Sequence, residues 1–376
     1  MTENTKDSGD ASPEGRKGRI HWGVATPTII FVVLLAAYAV YWWIAADEIR
    51  SRIETASLDQ GRIETSWKEL GIYGFPYRFT ASFTDPVVSA PHTPEQWRWE
   101  ADEFSASFLP YDFSHAIFDV EGEQRLSFRD VTRRDAPRRD WRIRTEGAWS
   151  SYVSEKGEPF GRLAIDVKKL DAKRESGDET LTADRLQLHT RPAPLLLEGG
   201  AAPVLPGTPK PATAIDLALQ GDNMVLPDRL TPPALGDKAK LIILQARLRN
   251  VPATHAASPV EFARDWMAAG GTLAVSDLKV KWGPLDMDAS GEVTLDAQGR
   301  PAGRLDAQIA DYEGLISALV KAGRIPEQSG RMALAGLGLI SQFQGNKSGR
   351  VRVPVVMSKG KLYLGPVPVA TLDPVF

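Results

Sequence analysis

Tyr77-Arg78-Phe79-Thr80-Ala81-Ser82-Phe83-Thr84 sets apolar Tyr77, Phe79, Ala81 and Phe83 against polar residues on alternate positions. Successive side chains of a strand point to opposite faces, so the stretch is predicted as a strand with one buried and one wet face. The same period of two recurs at Leu163-Ile165-Val167, Leu186-Leu188, Ile215-Leu217-Leu219, Leu305-Ala307-Ile309 and Val351-Val353-Val355, between Gly, Asp, Asn and Pro turn signals. A many-stranded, largely antiparallel body follows from that repetition.

Just before the first of these strands, Gly74-Phe75-Pro76 reads as a turn: Gly74 permits a backbone angle that other residues resist, and Pro76 fixes the chain at the strand entry. The aromatics Trp67, Tyr73, Phe75, Tyr77, Phe79 and Phe83 serve either as core or as the lining of an apolar groove. Lys240-Leu241-Ile242-Ile243-Leu244-Gln245-Ala246-Arg247-Leu248 begins apolar on both faces, which suits the middle of a sheet. Helices are few. Ser258 as cap and Pro259 in the first turn open one that runs through Phe262, Trp266 and Met267 to Gly270-Gly271. Residues 312–322 and 328–342 read as a helical hairpin broken at Gly323 and Pro326. The Pro- and Gly-rich stretch 191–211 either divides the body in two or is a long loop within one sheet, since strands of the same character resume on both sides.

Toward the N-terminus the pattern changes to a continuous apolar run without charge, from Trp22 to Trp43. From Trp22 to Trp42 a helix rises about 30 Å, the thickness of a bilayer's hydrocarbon core. Trp22 at one end and Tyr41, Trp42 and Trp43 at the other are placed as membrane-interface residues. Arg16, Lys17 and Arg19 precede the run and Asp47 and Glu48 follow it, which keeps the N-terminus cytoplasmic and the body outside. Ala37-Tyr38-Ala39 also has the small-x-small form of a signal-peptidase site, so cleavage after Ala39 is the rival to an uncleaved anchor. The organisation expected is a disordered cytoplasmic tail over 1–21, a transmembrane signal-anchor helix over 22–46, a helical stalk over 47–61 and an exported β-rich body over 62–376. The fold class is mainly β (α+β): a large curved antiparallel sheet with several peripheral helices behind one transmembrane helix.

Composition narrows the functional classes. The 376 residues carry a net charge of −3 and no block of like charge, so no basic field marks a nucleic-acid partner. The absence of cysteine removes disulfides, thiolate metal sites and a Cys nucleophile, and suits a bacterial periplasm.

Candidate chemistry is thin. Asp286-x-Asp288-x-Ser290-Gly291-Glu292 copies half of a calcium loop, but Ala297 stands where the bidentate Glu belongs, so the stretch is read as a strand with two wet carboxylates and no calcium site is assigned. His21, His92, His115, His189 and His255 are scattered singly, without zinc-site spacing. Arg133-Arg134-Asp135-Ala136-Pro137-Arg138-Arg139 is either an anion site or an ordinary solvated turn. Asp166, Asp171, Asp216 and Asp222 form a catalytic site only if the fold gathers them. No nucleophile elbow, phosphate loop or dinucleotide fingerprint occurs, so no catalytic residue, metal or cofactor is assigned.

The anchor end Tyr41-Trp42-Trp43-Ile44-Ala45-Ala46, the motif Gly71-Ile72-Tyr73-Gly74-Phe75-Pro76-Tyr77-Arg78-Phe79 and the closing Lys361-Leu362-Tyr363-Leu364-Gly365-Pro366-Val367-Pro368 resemble a bacterial domain-of-unknown-function family, number 2125. Its motif residues Gly74, Phe75, Pro76, Gly365 and Pro366 are structural and transfer no chemistry. Asp296-Ala297-Gln298-Gly299-Arg300-Pro301-Ala302-Gly303 resembles hairpins of the AsmA-like envelope proteins, which implies a long curved sheet and a lipid role. Together these readings point to a non-enzymatic envelope protein of the bacterial inner membrane that binds or handles a lipid or another envelope component. The alternative is a structural or assembly scaffold for envelope protein partners.

Overall fold

The computed structural model describes residues 22–58, 61–131, 135, 137–156, 158–193, 213–252, 256–343 and 350–376, with side chains described except in 22–25 and 340–343. The expected tail over 1–21 lies outside them. A single helix, α1 (Trp22–Leu58), joins the apolar run and the stalk without a break. Neither Gly nor Pro falls between Pro27 and Gly61, so nothing interrupts its hydrogen-bond ladder. Its segment Thr26–Ser57 is long and apolar enough to cross a membrane.

Among the described residues eighteen strands follow in one antiparallel sheet. The first group is β1 (Glu64–Ser66), β2 (Glu69–Tyr73), β3 (Phe79–Thr84), β4 (Val87–Ser89), β5 (Arg98–Leu109) and β6 (Asp112–Arg129). The next is β7 (Arg138–Arg144), β8 (Gly147–Val153), β9 (Arg162–Arg174), β10 (Thr180–Pro192), β11 (Thr213–Val225) and β12 (Lys238–Val251). The last is β13 (Thr272–Trp282), β14 (Leu285–Leu295), β15 (Pro301–Ala310), β16 (Arg350–Ser358), β17 (Lys361–Leu364) and β18 (Val367–Thr371). From β9 onward every strand pairs with the next in sequence, an up-and-down meander. Before β9, two short strands twice lie end to end beside a long one: β3 and β4 along β5, and β7 and β8 along β6. The strands flanking the Pro-rich stretch are direct neighbours, with Pro192 opposite Ile215; residues 194–212 lie outside the described region.

The long strands bend at a common level. Asp85, Gly122, Lys169 and Asn223 all have positive φ (47°, 81°, 50° and 47°). Lys169 and Asp184 fall together in a gap of the β9–β10 ladder, and Asn223 lies next to Asp184 across β10 and β11. Left-handed backbone is unfavourable for Lys, and side-chain bonds hold it here: Asp184 accepts from Lys169 Nζ and Asn223 Nδ2, both at 2.7 Å.

Three further α-helices interrupt the meander among the described residues. Ser258 caps α2 (Pro259–Ala268) by accepting from Glu261 N, as its sequence predicts. The hairpin of α3 (Tyr312–Lys321) and α4 (Glu327–Phe343) is inserted between β15 and β16. Leu315, Ile316, Leu319, Ile325 and Leu337 from this insertion pack on Leu305, Ala307, Ile309, Val351, Val353 and Val355, forming the largest core cluster. Leu241 to Leu244 are half-buried on both faces of β12, which lies inside the sheet as expected.

The opening strand needs one correction. β3 starts at Phe79, and Tyr77, read as its first inward residue, is 82% exposed. The cause is the preceding turn: Gly74 has φ +103° and its carbonyl accepts from both Tyr77 N and Arg78 N, which takes these residues out of the ladder.

Candidate functional site: an apolar sheet face leading from the N-terminal helix

Side-chain alternation along each strand, combined with the cross-strand register, assigns the two faces of the sheet. One row directly across it reads Ile72, Ala81, Ala106, Phe118, Ser150, Ile165, Leu188, Leu219, Leu244, Leu278, Ala289, Ala307 and Val353. Only Ser150 is polar. On the opposite face the row Asp119, Trp149, Asp166, Gln187, Gln220, Ile243, Lys279, Asp288, Gln308 and Arg352 is mostly polar or charged. The sheet is therefore amphipathic over most of its width.

Its apolar face is covered at both ends. At one end α1 lies on it, with Trp42 3% exposed and stacked on the fully buried Phe79 at 5.1 Å between ring centroids. Ala46, Ile49, Ile72 and Phe108 complete that contact. At the other end α3 and α4 cover β15 and β16. Between them, Phe118, Ile165, Leu188 and Leu217 are half-buried, while Tyr152 and Leu219 are 38% and 39% exposed. This middle belongs to none of the buried clusters among the described residues. Aromatic rings lead onto it from the helix side: Phe83 packs on Phe104 at 5.8 Å, and Phe104 stacks on Phe118 at 5.9 Å.

The polar face is a ladder of ion pairs. Arg185 grips Asp166 through two bonds of 2.8 and 2.7 Å, and Asp216 bridges Arg247 and Arg191. The Arg185 hydrogen bond holds the Asp166 carboxyl below its usual pKa; burial opposes the same shift at Asp216, but the two guanidiniums prevail. A hollow of about 870 Å³ on this face is lined by Arg162, His189, Arg191, Asp216 and Arg247. The four scattered aspartates do not meet: Asp171 binds Lys173, Asp222 accepts from Gln220, and the other two are held by arginines. Asp286 and Asp288 lie on β14 and both bind Arg350, so the half calcium loop is a strand. Among the described residues no three His, Asp or Glu side chains are grouped to hold a metal.

Other expected residues fall as follows. Trp22 is in the first turn of α1; Tyr41 and Trp43 are exposed on it, whereas Trp42 turns into the body. Gly365 (φ +59°) and Pro366 turn the chain from β17 to β18, and Gly365 N donates to the Pro354 carbonyl. The arginine-rich stretch departs from a solvated turn at Arg139, which is buried on β7 and bonded to Asp130 and Glu179; Asp130 also holds Arg229. Arg133, Arg134 and Ala136 lie outside the described residues. The sequence reading missed Tyr38, which packs on Phe75, and the turn residues Leu109, Tyr111 and Phe113, of which Phe113 packs on Phe79 and Phe108. The signal for the last three is Leu109-Pro110-Tyr111-Asp112-Phe113, a turn with three large apolar residues and one charge.

These features define a class of protein: a body built on one amphipathic antiparallel sheet, joined at one end to an apolar helix of membrane-spanning length. The chain belongs to the family described as an uncharacterized protein conserved in bacteria (DUF2125), which matches residues 42–373 and so begins at the tryptophan that docks the helix. No curated protein and no solved structure matches it.

Proposed function

We propose that this is an envelope protein of the bacterial inner membrane, with its N-terminus cytoplasmic and its body periplasmic, that holds a lipid or another apolar envelope component on the open part of the sheet. The reading is of a binding protein, not an enzyme, with membrane lipid as its partner. One observation carries it: the apolar face is continuous from the membrane helix to the α3–α4 hairpin, and among the described residues no helix covers it between them. Exposed apolar surface of that extent is unfavourable in water and calls for an occupant.

The test uses the full-length protein purified in mild detergent. Phospholipid should co-purify by mass spectrometry, and labelled phospholipid should be taken up from vesicles. Leu188→Glu and Leu217→Glu should lose most of that capture, while Lys173→Glu, at an exposed Lys, should keep it. Absence of lipid from the purified protein together with absence of uptake would refute the reading. A photocrosslinker at Ile165 that captures specific proteins and no acyl chains would favour the scaffold alternative.

A further inference from the structure

We infer that the turns at 74–78 and 109–113 form a second membrane-contacting surface, which seats this end of the sheet in the border of the bilayer beside α1. The inference rests on α1 crossing a membrane and is independent of what the sheet binds. Tyr38 Oη donates to the Pro76 carbonyl at 2.5 Å, and Phe75 packs on the rings of Tyr38 and Trp42 at 6.3 and 5.6 Å. Tyr38 lies within the apolar run, eight residues before Ala46, or about 12 Å along the helix axis. A turn bonded to that residue is drawn to its depth. The second turn lies at the same end, since Phe113 packs against Phe79 and Phe108.

Both turns present what an interface accepts. Tyr73, Phe75, Tyr77, Leu109, Tyr111 and Phe113 are exposed, Tyr77 and Tyr111 by 82% each. Arg78 and Asp112 are the only charges within 73–79 and 109–113. Tyrosine and phenylalanine rings settle at the border of hydrocarbon and water, and a long arginine reaches out of it. Non-helical backbone near hydrocarbon must have its polar groups bonded within the protein. The first turn bonds much of its backbone in this way: Gly74 O accepts from Tyr77 N and Arg78 N, Pro76 O from Tyr38, and Arg78 O from Trp42 Nε1.

The chain has no cysteine, so single-cysteine variants of the full-length protein can be labelled cleanly. An environment-sensitive fluorophore would be placed at Tyr77→Cys, Tyr111→Cys or Phe113→Cys, with Val33→Cys in the helix and Asp178→Cys in the turn after β9 as references. Asp178 lies at the opposite end of the strands from Tyr111. In vesicles of phosphatidylethanolamine and phosphatidylglycerol carrying nitroxide-labelled lipid, labels at 33, 77, 111 and 113 should lose most of their emission, and the label at 178 little. Quenching at 33 with 77, 111 and 113 behaving like 178 would overturn the inference and leave the lipid-capture reading to its own assay. No quenching at 33 would remove the anchor and the inference with it.

Discussion

Phe79 has no exposed surface and is stacked between Trp42 of α1 and Phe108 of the sheet, so its ring belongs to the joint of the molecule. Phe79→Ala should lower the unfolding free energy by about 3–5 kcal/mol in chemical denaturation. Phe83 is half-buried, and Phe83→Ala should cost clearly less; equal losses would mean that the two rings are equivalent core. Gly74→Val should lower the melting temperature, because at φ +103° a Cβ would meet the Arg78 carbonyl oxygen at 2.7 Å. Unchanged melting of that variant would show that the turn can relax. The strand and the glycine were legible in the local sequence, since period-two alternation and a lone Gly before Pro are local signals. The outward position of Tyr77 was not, because it depends on where the turn releases the chain into the ladder.

Among the elements, the β7 region is held by charge. Asp130 and Arg139 are buried together, and Arg229 reaches Asp130 from the loop between β11 and β12. Removing one partner strands the other in low dielectric, so Asp130→Ala should cost about 3–5 kcal/mol, read by denaturant unfolding. A loss near zero would mean that water already reaches the cluster. Neighbouring residues gave no hint of this burial, since the partners come from positions 130, 179 and 229. The bend line is similar: Lys169, Asp184 and Asn223 look like ordinary surface residues until the register sets them side by side. The hydrogen bond from Lys169, then that from Asn223, holds the Asp184 carboxyl below its usual pKa, and Asp184 raises that of Lys169. A depressed carboxylate adds stability that is fully present above its unfolded value, about 3.9, and is lost as pH falls through the folded value. The raised lysine adds stability present below about 10.4 and lost as pH rises through its folded value. Melting temperature should thus be insensitive to Asp184 ionisation near neutrality and fall in acid, and Asp184→Asn should flatten the acid limb. An identical acid profile in the variant would mean that the exposed network contributes nothing measurable.

At the scale of the whole molecule, the sheet is legible strand by strand because each strand pairs mainly with near neighbours in sequence. Its unbroken apolar face was not, because it exists only after registers bring residues as distant as Ile72 and Val353 into one row. The union of helix and body bears on the choice the sequence left open, between an anchor and a signal cleaved after Ala39. Cleavage would remove Tyr38, its bond to the Pro76 carbonyl and its contact with Phe75, and would leave Trp42 near a new chain end. The turn at 74–78 would then lose an internal partner for its backbone, while Trp42, Ala46 and Ile49, the helix residues packed on the sheet, would stay on the shortened helix. Protein extracted from membranes after a high-salt wash should therefore retain Tyr38 and the residues before it, as judged by N-terminal peptide mapping. A reporter active only outside the cytoplasm, fused after Phe376, should be active. Recovery of soluble protein beginning at Val40 would show that the body stands without its helix, and activity of a cytoplasm-only reporter would reverse the orientation.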